Sequence, residues 1–215
     1  MQNQVSDNKS SQKPDNSWII ELGKTLALSA FLAFGIRTFV AEARWIPTPS
    51  MEPTLHGVDD QWKADKIIVD KLKYRFAGPE RGDIIVFNPP AELQLKEPKD
   101  AYIKRVIGLP GERVELRGGK VYINNKPLPE KQYLNPGQET STNVCQGNIS
   151  FLSQPVTIPS DSYLVLGDNR GSSFDSRCWG VVPKQNIIGR AIVRFWPLDR
   201  VGTIDKSPLY PETNP

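Results

Sequence analysis

Tyr102-Ile103-Lys104-Arg105-Val106-Ile107-Gly108 is the stretch on which the reading of this chain turns. Its β-branched and aromatic residues predict a strand, and the same pattern recurs, bounded by turn residues, in Lys66-Ile67-Ile68-Val69-Asp70, Asp83-Ile84-Ile85-Val86-Phe87, Ser162 to Leu166 and Ile187 to Trp196. Arg113-Val114-Glu115-Leu116 and Lys120-Val121-Tyr122-Ile123 flank Gly118-Gly119, and Asn124-Asn125 supplies a second turn, so a hairpin or meander is expected there. The 19 prolines suit edges and irregular connections better than helix interiors. Pro129 to Gln154 is polar and reads as a long loop or a small excursion from the core. The body of the chain is therefore mainly β.

Within the central run, Lys104 sits among apolar neighbours. Burial disfavours an ammonium ion, so a lysine there can lose its proton near neutral pH and then serve a serine as a base. Strand alternation places Tyr102 and Val106 on the face of Lys104 and turns Ile103 and Arg105 the other way, which lets Arg105 reach solvent. The matching serine is Ser50, in Pro47-Thr48-Pro49-Ser50. Its own backbone N–H and the Thr48 hydroxyl are suitable donors for a developing oxyanion, while Pro49 stiffens the turn and has no N–H to offer. Read singly, the proline-rich segment is a rigid turn and Lys104 a surface lysine. A third segment, Gly167-Asp168-Asn169-Arg170-Gly171-Ser172-Ser173-Phe174-Asp175-Ser176-Arg177, links them by offering a hydroxyl to orient a lysine and an Asp–Arg pair to lock the loop.

Bulk composition narrows the classes. In 215 residues the apolar share is 38% and the charged share 24%, ordinary for a globular domain with an appendage. A net charge of +3, with Lys and Arg scattered among acids, gives no nucleic-acid footprint. His56 is the sole histidine, and Cys145 and Cys178 lack the short paired spacing of a zinc site, so neither a metal nor a cofactor is expected. A Ser-His-Asp arrangement would have to use His56, six residues past Ser50 in a surface turn.

Residues 1–16 are polar and lack an apolar period, the composition of a disordered tail. Residues 17–41 change abruptly to Trp, Ile, Leu, Ala and Phe, with no charge from Thr25 to Ile36. Counted from Trp18 to Val40 the stretch is long enough to cross a bilayer as one helix, with Lys24 and Arg37 snorkelling to the interfaces. A cleaved signal peptide or an amphipathic surface helix is the alternative. Lys9, Lys13 and Lys24 before the centre against Arg37 and Arg44 after it favour an inside N-terminus only slightly.

In order and wording, Ile46 to Leu55, Arg81 to Phe87, Tyr102 to Gly111 and Gly167 to Arg177 resemble the four motif boxes of type I signal peptidases, the bacterial and chloroplast kind. The likeness runs from the membrane segment to about Trp196. It implies a coiled antiparallel β-sheet catalytic domain, over 44–112 and 162–200, with a small inserted β excursion at 113–161 and a tail at 201–215. It further implies that Ser50 is the nucleophile and Lys104 the general base, that Thr48 assists the oxyanion hole and that Ser173 orients the lysine. Asp175 and Arg177 match a structural salt bridge near the site, with Asp168 and Arg170 shaping the same loop. The family cuts exported precursors after an Ala-x-Ala site, which needs shallow apolar pockets; Ile46, Pro47, Met51, Leu55, Tyr102 and Ile103 are the matching candidates. Signal peptides of exported preproteins and membrane lipid are the implied partners. The implied location is the plasma membrane, or a thylakoid membrane, with a cytoplasmic N-terminus and an extracytoplasmic catalytic domain. A Cys145–Cys178 disulfide would tie the excursion to the last motif; two separate thiols are the alternative.

Two rivals remain. A self-cleaving Ser-Lys regulator would carry a DNA-binding helix pair and a cleavable linker where this chain has a hydrophobic segment. A catalytically inert membrane-anchored scaffold of the same fold is separated only by a turnover measurement.

Overall fold

The computed structural model describes residues 17–90, 93, 101–145 and 150–204. The tail expected over 1–16, and the part of the 201–215 tail from 205 onward, lie outside the described residues. Helix α1 (Ser17–Gly35) runs into a π-helical turn (Ile36–Val40), and none of its residues is buried. Together they form 24 residues of mean hydropathy 1.7, enough in length and composition to cross a membrane.

The chain then enters β1 (Ala41–Trp45), which pairs antiparallel with β2 (Lys66–Asp70). A short turn of helix, α2 (Lys73–Phe76), leads toward β3 (Ile84–Phe87) and β4 (Tyr102–Gly108). Next come β5 (Arg113–Arg117), β6 (Lys120–Ile123), β7 (Lys126–Pro127) and β8 (Val156–Thr157), which among themselves form a four-stranded sheet in the order β7-β6-β5-β8. The chain returns through β9 (Ser162–Leu166), the single turn α3 (Ser176–Trp179), β10 (Val182–Pro183), β11 (Ile187–Trp196) and β12 (Gly202–Thr203). These complete a sheet in the order β1-β2-β11-β3-β4-β9-β10, with β12 added to β11.

Strand β11 curls that sheet. Its first half pairs with β3 and its second with β2, and the register slips between Ala191 and Val193 and again between Arg194 and Trp196. Each slip leaves an unpaired residue that bends the strand and increases its twist. The predicted runs coincide with β2, β6, β9 and β11 and fall within a residue of β3, β4 and β5, because each carries the apolar period of a strand buried on one or both faces.

Every residue of β4 is buried, and it serves three clusters. Ile103 packs with Ile46, Met51, Leu55, Ile67, Val69, Ile84, Val86 and Ala191 inside the curl. Tyr102 and Val106 pack with Ile85, Phe87, Tyr163 and Val165 on the other face. Ile107 joins Val114, Val121, Tyr133, Leu152, Ile158 and Leu164, so the inserted sheet shares a core with the main one.

Arg105 departs from the alternation argument. Its exposure is 1%, because both faces of β4 are covered. The guanidinium is satisfied inside, with Nε donating to Asp168 Oδ1 (2.8 Å), Nη2 to Asp168 Oδ2 (2.7 Å) and Nη1 to the Gly82 carbonyl (2.9 Å). The polar stretch 129–154 also differs from a loose loop: Tyr133, Leu152, Glu130, Thr140 and Cys145 within it are buried.

Candidate active site

Ser50 lies in a 3-10 turn, Pro49–Met51, entered from the extended Thr48. Proline at the first turn position suits a helix start, since its missing N–H would have no partner there. The turn is held at both ends. Met51 and Leu55, both fully buried, anchor it in the core inside the curl. From the opposite side the Asn169 backbone N–H donates to the Ser50 carbonyl (3.1 Å) and Asn169 Nδ2 to the Pro49 carbonyl (3.2 Å).

Two glycines make this approach possible. A Cβ on Gly57 would lie 1.8 Å from the Thr48 carbonyl oxygen. One on Gly167 would lie 2.2 Å from Ser173 Oγ and 2.4 Å from the Ser50 carbonyl oxygen. Only a residue without a side chain fits at either position.

Lys104, from the middle of β4, brings Nζ to 2.8 Å from Ser50 Oγ, and the same nitrogen donates to the Ile103 carbonyl (2.9 Å). Lys104 is 3% and Ser50 5% exposed. Thr48 Oγ1 donates to Ser50 Oγ at 3.2 Å, and Thr48 itself is exposed, on the side from which a ligand would arrive. Ser173 Oγ is buried and has no hydrogen-bond partner, so the bond expected from it to Lys104 is not made in this arrangement. His56 turns elsewhere, its Nδ1 2.7 Å from Glu52 Oε1.

The loop carrying Ser173 is fixed by three buried arginines. Arg177 pairs with Asp175 through Nε–Oδ1 and Nη2–Oδ2, both 2.8 Å. Burial alone would raise the Asp175 carboxyl, but the hydrogen bonds and charge of Arg177, with the Gly167 N–H, outweigh it and hold the group below its ordinary value. Asp168 belongs to Arg105 and also accepts from Thr54 Oγ1 (2.5 Å). Arg170 reaches past the loop to Glu130 and Thr140 of the inserted region. Burial opposes the charge on Arg170, yet the Glu130 carboxylate more than offsets this and pushes the guanidinium above its usual value. The Tyr133 ring lies between Arg105 (4.4 Å) and Arg170 (5.9 Å). Cys145 and Cys178 are disulfide-bonded, with their Cα atoms 5.1 Å apart.

A groove of about 580 Å³ opens beside this constellation. Ile46, Pro47, Tyr102 and Ile103 of the expected pocket line it, joined by Ile67, Val86 and Ala101, with Arg37, Glu42 and Arg44 along the same wall. Met51 and Leu55 do not line it. They face inward because the turn that presents Ser50 needs apolar anchors behind it. Among the described residues no group of three or more His, Cys, Asp or Glu side chains is placed to hold a metal ion.

Thr54, Arg105, Glu130, Tyr133, Thr140, Asn169 and the two glycines all shape the site, and sequence reasoning missed them. Arg105 carried a signal, as a charge inside an otherwise apolar strand. Glu130 carried none, since its partner lies 40 residues away.

Comparison with known proteins identifies relatives across most of the chain. Residues 19–196 match the family described as signal peptidase, peptidase S26. Over 202 residues, 93% of this chain and 91% of the relative, it is 50% identical to a signal peptidase I of Leptolyngbya laminosa. It is 48% identical over 196 residues, 91% of this chain and 81% of the relative, to a probable signal peptidase I-2 of Synechocystis sp.. It is 34% identical to thylakoidal processing peptidase 1 of Arabidopsis thaliana, over 91% of this chain and 56% of that one. With a serine and a buried lysine in contact, and a family match across both, the chain belongs to the signal peptidase family, peptidase S26, and is a serine endopeptidase of that type.

Proposed function

We propose that this protein is a membrane-anchored signal peptidase that removes N-terminal signal peptides from exported preproteins after an Ala-x-Ala type site. The reading rests above all on the 2.8 Å contact between Lys104 Nζ and Ser50 Oγ in a buried setting. Burial favours the neutral amine, whose lone pair takes the hydroxyl proton as Oγ attacks the scissile carbonyl. The Ser50 backbone N–H and the Thr48 hydroxyl stabilise the resulting oxyanion. When the C–N bond breaks, Lys104 returns the proton to the leaving amine. A water then attacks the acyl-enzyme with Lys104 again as base, and Ser50 is regenerated. Ser173, buried one residue-width from Gly167, is a positioning residue for the amine once substrate fills the groove.

The apolar wall formed by Ile46, Pro47, Tyr102 and Ile103 is the part of the groove that would receive the small side chains of such a site. Residues 17–40 anchor the enzyme as a single span with the N-terminus inside and the catalytic domain outside.

The test is a precursor bearing an Ala-x-Ala site, incubated with the protein in lipid beside Ser50→Ala and Lys104→Ala. Cleavage by the unaltered chain alone is expected, each substitution lowering kcat/KM by on the order of 10⁴ or more. Equal cleavage by either variant would rule out the dyad; no cleavage by any of the three would favour an inert scaffold.

A further inference from the structure

Where the chain leaves its membrane-length helix it meets a cluster that the Ser50 chemistry does not use. The Lys71 backbone N–H donates to the Val40 carbonyl (2.9 Å) and Lys71 Nζ to the Arg37 carbonyl (3.3 Å), which fastens the link between β2 and α2 to the last turn of that helix. From this shelf Phe76 projects with 88% exposure and Phe39 with 52%, and the Arg75 guanidinium stands 5.4 Å from the centre of the Phe39 ring.

The acids nearby already have partners. Glu42 is engaged by Arg44 and Lys71, Glu80 and Asp83 by Lys73, and Asp70 by the backbone N–H groups of Leu72 and Lys73. Among the described residues neither Arg37 nor Arg75 makes an ion pair, and both are exposed. Two exposed arginines, with no ion pair among the described residues, and two exposed phenylalanines thus crowd the end of the helix, cationic and apolar groups side by side.

On the reading that residues 17–40 span a bilayer, we propose that this shelf binds the headgroup of an anionic glycerolipid. Arg75, beside Phe39, meets the phosphate, for which the planar guanidinium fork is suited, Arg37 adds its charge from the groove side, and Phe76 and Phe39 enter the upper acyl region. The two bonds from Lys71 hold the shelf at the level where the span emerges, which is the level of the headgroups. Arg37 also lines the groove beside Ser50, so a lipid held there fixes the groove mouth against the membrane face, where the segment to be cut leaves the bilayer.

The test places one fluorescent thiol label at a time on the full chain, whose two native cysteines are bonded to each other. The labelled variants are Phe76→Cys, Ala30→Cys within α1 and Lys120→Cys on the inserted sheet. They are read in brominated phosphatidylcholine nanodiscs with and without phosphatidylglycerol. The Ala30 label should be quenched in both and the Lys120 label in neither. The Phe76 label should be quenched far more with phosphatidylglycerol, and Arg37→Gln with Arg75→Gln should lower the ratio of docked to undocked label by on the order of fivefold per arginine. High salt should weaken the same preference. A quenched Ala30 label with an unquenched Phe76 label would overturn the shelf and leave the span standing. Equal quenching at Phe76 in both lipids would reduce it to apolar contact and overturn anionic recognition. An unquenched Ala30 label would overturn the span and the shelf together.

Discussion

Gly167 shows how much of this site rests on what is left out of a side chain. Its hydrogen lets the loop bring Ser173 and Asn169 against the back of Ser50, where a methyl group would meet two oxygens inside 2.5 Å. Gly167→Ala should therefore cost about 1–3 kcal/mol of stability by overpacking, and lower kcat/KM more than that loss of folded protein explains. Thermal unfolding read beside kinetics separates the two effects. Two titrations should also be distinguishable. The activity profile should carry an acid limb in kcat/KM as Lys104 gains its proton. In the acid range the stability profile follows Asp175, whose folded carboxyl is held below its ordinary 3.8. A depressed carboxyl stabilises above its unfolded value and ceases to as pH falls through the folded one. This carboxyl's contribution should thus be complete above about pH 4 and decline below it, as urea midpoints across acid pH would show. At this scale the pairing of Ser50 with Lys104 was legible only through the motif boxes that resemble the family, since each read singly is a turn serine and a surface lysine; the close approach at the glycines was not, since it leaves no mark on composition.

At the scale of elements, the inserted sheet and the active-site loop are tied together in two ways. The Cys145–Cys178 disulfide closes a separation of 33 residues, which in the chain-entropy picture contributes about 3–4 kcal/mol. Reduction, or replacement of both cysteines by serine, should lower the unfolding free energy by that amount, measurable by denaturant titration. The second tie is Glu130 on Arg170. Glu130→Ala would strand a buried guanidinium and should cost about 3–5 kcal/mol. Glu130→Gln, which keeps the shape and a hydrogen-bond acceptor, should cost less. Strands were read well because their apolar runs are contiguous: β2, β9 and β11 fall where Lys66–Asp70, Ser162–Leu166 and Ile187–Trp196 predicted. The stretch 129–154 read as a loop because its anchors, Glu130, Tyr133, Thr140, Cys145 and Leu152, are spaced irregularly and find partners only in three dimensions. Arg105 misled for a related reason, since alternation assigns a face and cannot say whether another element covers it.

Over the whole molecule, the 24-residue apolar segment meets the β body only near its end, at Arg37, Phe39 and Val40, and none of its residues is buried. The protein should accordingly stay with the membrane fraction through alkaline extraction; release into the supernatant would contradict a span. The three guanidinium groups buried behind Ser50 add a different opportunity. Arg105, Arg170 and Arg177 are each within 1% of complete enclosure, whereas Arg75 and Arg117 lie at the surface. A dicarbonyl reagent that modifies accessible arginines would thus leave the first three untouched until the loop opens. Peptide mapping of the slow adducts would then time the breathing of the catalytic end of the protein, with no probe introduced and no substrate present.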